Sequence, residues 1–163
     1  AASTLTSEKA VALFEKFGIY TKAELESREE IIYETYAKTI NIEALTMIDM
    51  AGKQIIPAVV KYTKTLADTA NAIKAAGGDA SVQTELLADV STKLAAMQKE
   101  LNKLVADEKE ASAMEDVKAQ AFFYKDTIKA TMDELRKPAD ELEMIVDKDV
   151  WPIPTYGELM FEV

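Results

Sequence analysis

The amino-acid sequence predicts an all-α fold, and three observations point there. Helix-forming residues dominate while β-branched runs stay short. The five glycines stand only at positions 18, 52, 77, 78 and 157, a punctuation spaced for long helices. Apolar residues recur at steps of three and four over long stretches. The expected architecture is an elongated antiparallel bundle of three to four long helices with an extended C-terminal tail. Residues 1–20 read as a short helix and turn, 21–147 as the bundle and 148–163 as the tail.

Ser7 is the N-cap of a first helix that begins at Glu8 and reaches Phe17, with Gly18 as its stop. Thr21 and Glu24 form the S/T-x-x-E box that opens the next helix. That helix meets no strong stop until Gly77 and Gly78, so it covers about residues 21–76. Pro57 removes one backbone donor and crowds the carbonyl four residues back, which predicts a kink between Lys53 and Pro57, helped by Gly52. Met47, Met50, Val59 and Leu66 make one apolar stripe on this helix and Ile42, Leu45, Ile48 and Val60 another, which implies two neighbours. As a straight rod it would be about 80 Å long, against about 40 Å for a globule of this chain length. It must therefore bend or protrude. The later helices can cover it only from about Ile42 onwards, leaving a stem, residues 21–39, partly uncovered.

A second long helix starts at Ser81 and runs to about residue 110, with Val82, Leu86, Val90, Leu94, Met97 and Leu101 on its seam. After the polar stretch 107–112 a third covers about 115–147, with Val117, Ala121, Tyr124, Ile128, Met132 and Leu135 in register, and crosses Pro138. Helices joined by a short polar turn pack antiparallel. The last segment breaks the pattern. Prolines at 152 and 154 impose extended conformations on the residues before them, so 148–163 reads as a tail and not a helix. With Trp151, Tyr156 and Phe161 it carries more apolar area than a frayed terminus leaves in water, and it should dock on protein. Counting helices places it near the Gly77–Gly78 end.

The chemical inventory is narrow. The 163 residues include no Cys and no His. That excludes disulfides, thiolate zinc sites, Cys or His nucleophiles, His general bases and His-ligated metal centres. Nineteen basic against 29 acidic residues leave a net charge of −10, which repels phosphate backbones and anionic lipid, so neither nucleic acid nor a membrane is an expected partner. No apolar run approaches the roughly 20 residues of a bilayer span, and the chain reads as soluble and cytoplasmic. Glu26, Glu29, Glu30 and Glu34 share neighbouring turns and would suit Mg²⁺ if a second acidic helix faced them, as in an all-α phosphohydrolase. A solvated acidic face with i,i+4 partners, such as Glu34 with Lys38, is the commoner meaning. Asn41, Glu43 and Asp49 interrupt an apolar stretch and need polar partners, expected to be a lysine or backbone. The methionines on or beside the stripes, Met144 among them, read as core filling. Gly77-Gly78 follows no strand, which argues against a phosphate loop.

Three stretches look familiar. The opening L-F-E-K-F-G-I-Y-T-K-A-E-L-E-S-R, the run Y-A-K-T-I-N-I-E-A-L-T-M-I-D-M-A and the ending D-K-D-V-W-P-I-P-T-Y-G-E-L-M-F-E-V resemble the C-terminal region of type III glutamine synthetases. The helices between them look generic. The resemblance implies an excised C-terminal piece of a larger enzyme that joins ammonium to glutamate with ATP and Mg²⁺ or Mn²⁺. It places that family's catalytic groups upstream, so no catalytic, metal or cofactor-binding residue is assigned here. It further implies partners in the rest of the same polypeptide and in neighbouring subunits of a homo-oligomer built of stacked rings. The expected contact residues are Ile31, Ile32, Tyr36 and Ile40 on the stem and Trp151, Tyr156, Leu159 and Phe161 on the tail. The competing expectation is a free-standing helical adaptor that binds a partner helix.

Overall fold

The computed structural model describes residues 2–161, and among these there are helices and turns but no strand. A 3₁₀ turn, Ala2–Thr4, precedes α1 (Glu8–Lys16). Ser7 caps α1 by accepting from the Ala10 amide at 3.4 Å. Gly18, at φ 63°, ends it: the amides of Gly18 and Ile19 close on the carbonyls of Glu15 and Phe14 at 3.0 and 2.9 Å. A left-handed residue here favours glycine because it carries no Cβ. The Thr21–Glu24 box opens α2 (Lys22–Met50). The Thr21 amide donates to the Glu24 carboxylate at 2.7 Å, and the Glu24 amide donates to the Thr21 hydroxyl at 3.3 Å.

Helical structure continues past Pro57. A π-helical turn, Ala51–Ile55, joins α2 to α3 (Ile56–Ala75), and the Ile56 amide reaches back five residues to the Ala51 carbonyl. The wider turn shifts the hydrogen-bond ladder where Pro57 brings no donor, so the expected interruption takes the form of a π-turn between two helices. Gly77, at φ 78°, and Gly78 close on Lys74 and Ile73 in the same way as the end of α1.

Three boundaries differ from the sequence expectation. First, α4 (Ser81–Ser112) runs through the polar stretch expected to turn, because Glu108, Lys109 and Glu110 are good helix formers. The chain turns at 113–116, where Asp116 caps α5 (Val117–Phe123) by accepting from the Ala119 amide at 2.7 Å. Second, the expected helix over 115–147 is α5, a second π-helical turn (Tyr124–Ile128) and α6 (Lys129–Glu143), which carries Pro138 inside it. Third, the tail is not extended throughout, since α7 (Tyr156–Phe161) follows its prolines. Thr155 and Glu158 form a second capping box there: the Thr155 amide donates to Glu158 at 2.8 Å and the Glu158 amide returns to the Thr155 hydroxyl at 3.3 Å.

The chain forms two compact units, Ala1–Ala44 with Asp107–Ala130 and Leu45–Ala106 with Thr131–Val163. In the first, Leu25, Glu29, Ala37, Ile40 and Ala44 form the buried face of α2. This corrects the expectation that later helices reach the helix only from about Ile42: the stem is covered on one side by residues 107–130. Glu29 meets Lys118, Tyr33 meets Phe122, and Asn41 meets both Glu108 and Tyr124. In the second unit Val59 from α3, Val90, Met97 and Leu104 from α4, and Leu135 and Leu142 from α6 are fully buried. Trp151 joins this core at 7% exposure. Because α6 stops at Glu143, residues 149, 150 and 152 line a shallow cavity with Lys53, Pro57 and Lys61, so the tail lies beside the proline and not at the Gly77–Gly78 end.

Candidate interaction surfaces

Three of the four carboxylates on the acidic helix face are paired, and Glu30 is exposed. Glu29 is buried, accepts the Thr6 hydroxyl and lies 3.4 Å from Lys118 Nζ. The Thr6 hydroxyl, with help from Tyr33 and Lys118, holds its carboxyl below the usual carboxylate range despite burial. Glu34 pairs with Lys38 at 2.6 Å and Glu26 with Lys22 at 3.5 Å. Among the described residues no three acidic groups converge as a metal site. Asn41 donates to Glu108 at 2.9 Å and to the Tyr124 hydroxyl at 2.8 Å, while Asp49 pairs with Lys53 and Glu43 is exposed. These partners answer the polar residues of the long helix without a ligand, although Asn41 finds a carboxylate and a phenol in place of a lysine or backbone group. Arg28 lies over the Tyr20 ring at 4.3 Å, and Arg136 pairs with Asp140 at 3.2 Å.

The first unit leaves open a charged cavity of about 580 Å³ lined by Lys22, Glu26, Glu30, Glu115, Asp116 and Lys118, and also apolar side chains. Ile31 and Ile32 are 55% and 44% exposed on α2. Beside them lies a groove of about 590 Å³ formed by Ile32, Tyr33, Tyr36, Ala121, Phe122 and Lys125, with Ala2 and Ser3 at one side. Tyr33 and Phe122 pack at 6.0 Å between centroids with a 43° tilt. Lys118 stands 5.5 Å from the Tyr33 ring and Lys125 5.7 Å from the Phe122 ring. Lys125 also donates to Asp126 at 2.9 Å, which raises its own pKa. No carboxylate lines the groove.

In the second unit the tail is pinned at one end and open at the other. Trp151 is buried, and among the described residues its indole Nε1 meets no acceptor. Lys148 pairs with Glu158 at 2.8 Å and, with the Thr155 amide, holds that carboxyl below its usual range. Leu159, Met160 and Phe161 then stand exposed at 69%, 73% and 80%.

Of the contact residues expected from sequence, Ile31, Ile32, Leu159 and Phe161 are surface groups, and Tyr36 is half-buried on the groove wall. Ile40 and Trp151 are core positions of their own units, each 7% exposed. Tyr156 begins α7, but its side chain lies outside the described residues. Phe122 and Met160 were missed. Phe122 sits off the stripe that carries Ala121 and Tyr124, and a large aromatic on the polar side of a helix is the signal that marks it. Met144, expected in the core, is 84% exposed just beyond the end of α6.

Residues 1–74 match the family model described as glutamine synthetase C-terminal domain. The chain is 38% identical over 159 residues to a glutamine synthetase of Butyrivibrio fibrisolvens, an alignment that takes in 96% of the chain. It is 31% identical over 167 residues, 99% of the chain, to the type-3 glutamine synthetase of Dictyostelium discoideum. Against a glutamine synthetase of Bacteroides fragilis (strain YCH46) it is 28% identical over 164 residues, 97% of the chain. The chain spans 23%, 23% and 22% of the lengths of these relatives.

Proposed function

Since the chain belongs to the glutamine synthetase C-terminal domain family, we propose that it is a non-catalytic helical appendage of an enzyme that ligates ammonium to glutamate with ATP. Its role in that reading is to hold the catalytic region and neighbouring subunits of a homo-oligomer through exposed apolar side chains. No helix among the described residues is long and apolar enough to cross a membrane, and we place the appendage in the cytoplasm with its parent.

The observation that carries the reading is the exposed pair Ile31 and Ile32 beside the aromatic groove, echoed by Leu159 and Phe161 on the tail. Patches of this kind mark surfaces that protein covers. The carboxylates do not suit the parent's Mg²⁺ or Mn²⁺ and ATP: the sequence has no His, Glu29 is engaged by Thr6 and Lys118, and Glu34 is engaged by Lys38. Those cofactors belong to other parts of the parent, and no reaction step is assigned to this chain.

Two measurements test the proposal. The 163-residue chain, given glutamate, ammonium, ATP and Mg²⁺, is expected to release no phosphate and form no glutamine; turnover would overturn the non-catalytic reading. The full-length enzyme carrying Ile31→Asp with Ile32→Asp is expected to shift to smaller species by mass photometry and to lose glutamine formation in step. Full assembly and activity in that variant would overturn the contact role.

A further inference from the structure

We propose that the two exposed apolar features of this chain are partners in trans: the tail helix of one copy seats Leu159, Met160 and Phe161 in the aromatic groove of the first unit of another copy. The proposal rests on the subunit-contact reading above and names the surfaces that meet.

The first argument is the kind of surface. The groove presents Ile32, Tyr33, Tyr36 and Phe122 around a concavity of about 590 Å³, inside the about 300–1,000 Å³ range of specific pockets. Three consecutive large side chains at 69–80% exposure protrude from a helix whose start is fixed by the Thr155–Glu158 box and the Lys148–Glu158 pair. A preformed helix loses less entropy on docking than a loose terminus.

The second argument is charge. The sequence carries 29 acidic against 19 basic residues, yet the groove is lined without a carboxylate, and Lys118 and Lys125 stand over its Tyr33 and Phe122 rings. A carboxylate-bearing segment meets less like charge there than over the chain as a whole, whose net charge is −10. The apolar trio is followed in sequence by Glu162. Both ammonium groups already have partners in Glu29 and Asp126, so this attraction sets orientation and the apolar contact supplies most of the affinity.

The contact is head-to-tail, since tail and groove are different surfaces, and each copy keeps one tail and one groove. That arrangement makes a complementation test possible. Phe161→Asp breaks the tail and leaves the groove; Ile32→Asp breaks the groove and leaves the tail. Both positions are exposed, and circular dichroism checks that each variant keeps its helicity. In sedimentation velocity the 163-residue chain is expected to self-associate with rising concentration, and each variant to associate at least about tenfold more weakly. An equimolar mixture of the two variants is expected to form a heterodimer that grows no further, because it holds one intact tail and one intact groove. A wild-type chain that stays monomeric, variants that associate as the wild type does, or a mixture no larger than its components would each overturn the proposal. The Ile31→Asp, Ile32→Asp enzyme is read separately: if it loses its assembly while the mixture fails, the patch contacts protein but not this tail.

Discussion

The two compact units are held in different ways. In the second, three helices each contribute fully buried side chains: Val59 from α3, Val90, Met97 and Leu104 from α4, and Leu135 and Leu142 from α6. In the first, Leu25 and Ile128 are the large side chains fully withdrawn from water among the described residues. Much of its definition comes from polar bridges, Thr6 and Lys118 on Glu29, and Glu108 and Tyr124 on Asn41. A dry core draws its stability from area and shape, whereas a bridged unit depends on every donor and acceptor being matched. Both units nevertheless leave large apolar groups open, Ile31, Ile32 and Phe122 in the first and Leu159, Met160 and Phe161 in the second.

The largest expected effect belongs to the dry unit. Leu104→Ala removes a fully buried side chain and should cost about 2–5 kcal/mol, read as a lower urea midpoint for the unfolding of α4. A cost below about 1 kcal/mol would mean that this core collapses around the gap. Next comes the bridged unit. Asn41→Ala removes the donor that joins the Glu108 carboxylate and the buried Tyr124 hydroxyl, leaving Glu108 with the Ser112 hydroxyl, at about 1–3 kcal/mol. Hydrogen exchange should quicken in residues 22–44 and 107–130, and uniform quickening throughout the chain would erase the proposed contrast. Smaller again is Thr155→Ala, which deletes the cap of α7 at about 1 kcal/mol. Faster exchange of the Leu159 amide, with the α4 amides unchanged, is the expected result.

Acid sharpens the comparison from the other side. The folded pKa of Glu29 lies below its ordinary value of 4.5, so its contribution to stability is complete above that value and is lost as pH falls through the folded pKa. The wild type should therefore lose stability below about pH 4.5 by more than Glu29→Gln does, and the gap between them should narrow. A constant gap measured by urea titration down to acid pH would place the cause of the lowered pKa elsewhere.

How much of this was legible in the sequence depends on which force holds each part. Periodicity announced the second unit, because Val90, Met97 and Leu104 fall at helical steps and their burial needs no special partner. Asn41 was visible as a misfit, but nothing local says that its partners lie 67 and 83 residues away. The two capping boxes show the limit well. Thr21–Glu24 and Thr155–Glu158 carry the same T-x-x-E signal; the first was read and the second was outweighed by Pro152 and Pro154, which restrict only the residues before them and leave 156–161 free to coil. The π-turn at Ala51–Ile55 has a proline to announce it, while the one at Tyr124–Ile128 has neither proline nor glycine. The split between exposed Ile32 and buried Ile40 likewise depends on which side of α2 residues 107–130 cover.

The central claim, that the open apolar surfaces of this chain exist to be covered by protein, is tested most directly by oxidative footprinting of the same residues in two settings. Ile31, Ile32, Met160 and Phe161 should label readily in the 163-residue chain diluted to its monomer, where their side chains meet water, and should be strongly protected in the assembled parent enzyme. Equal labelling in both settings would contradict the account.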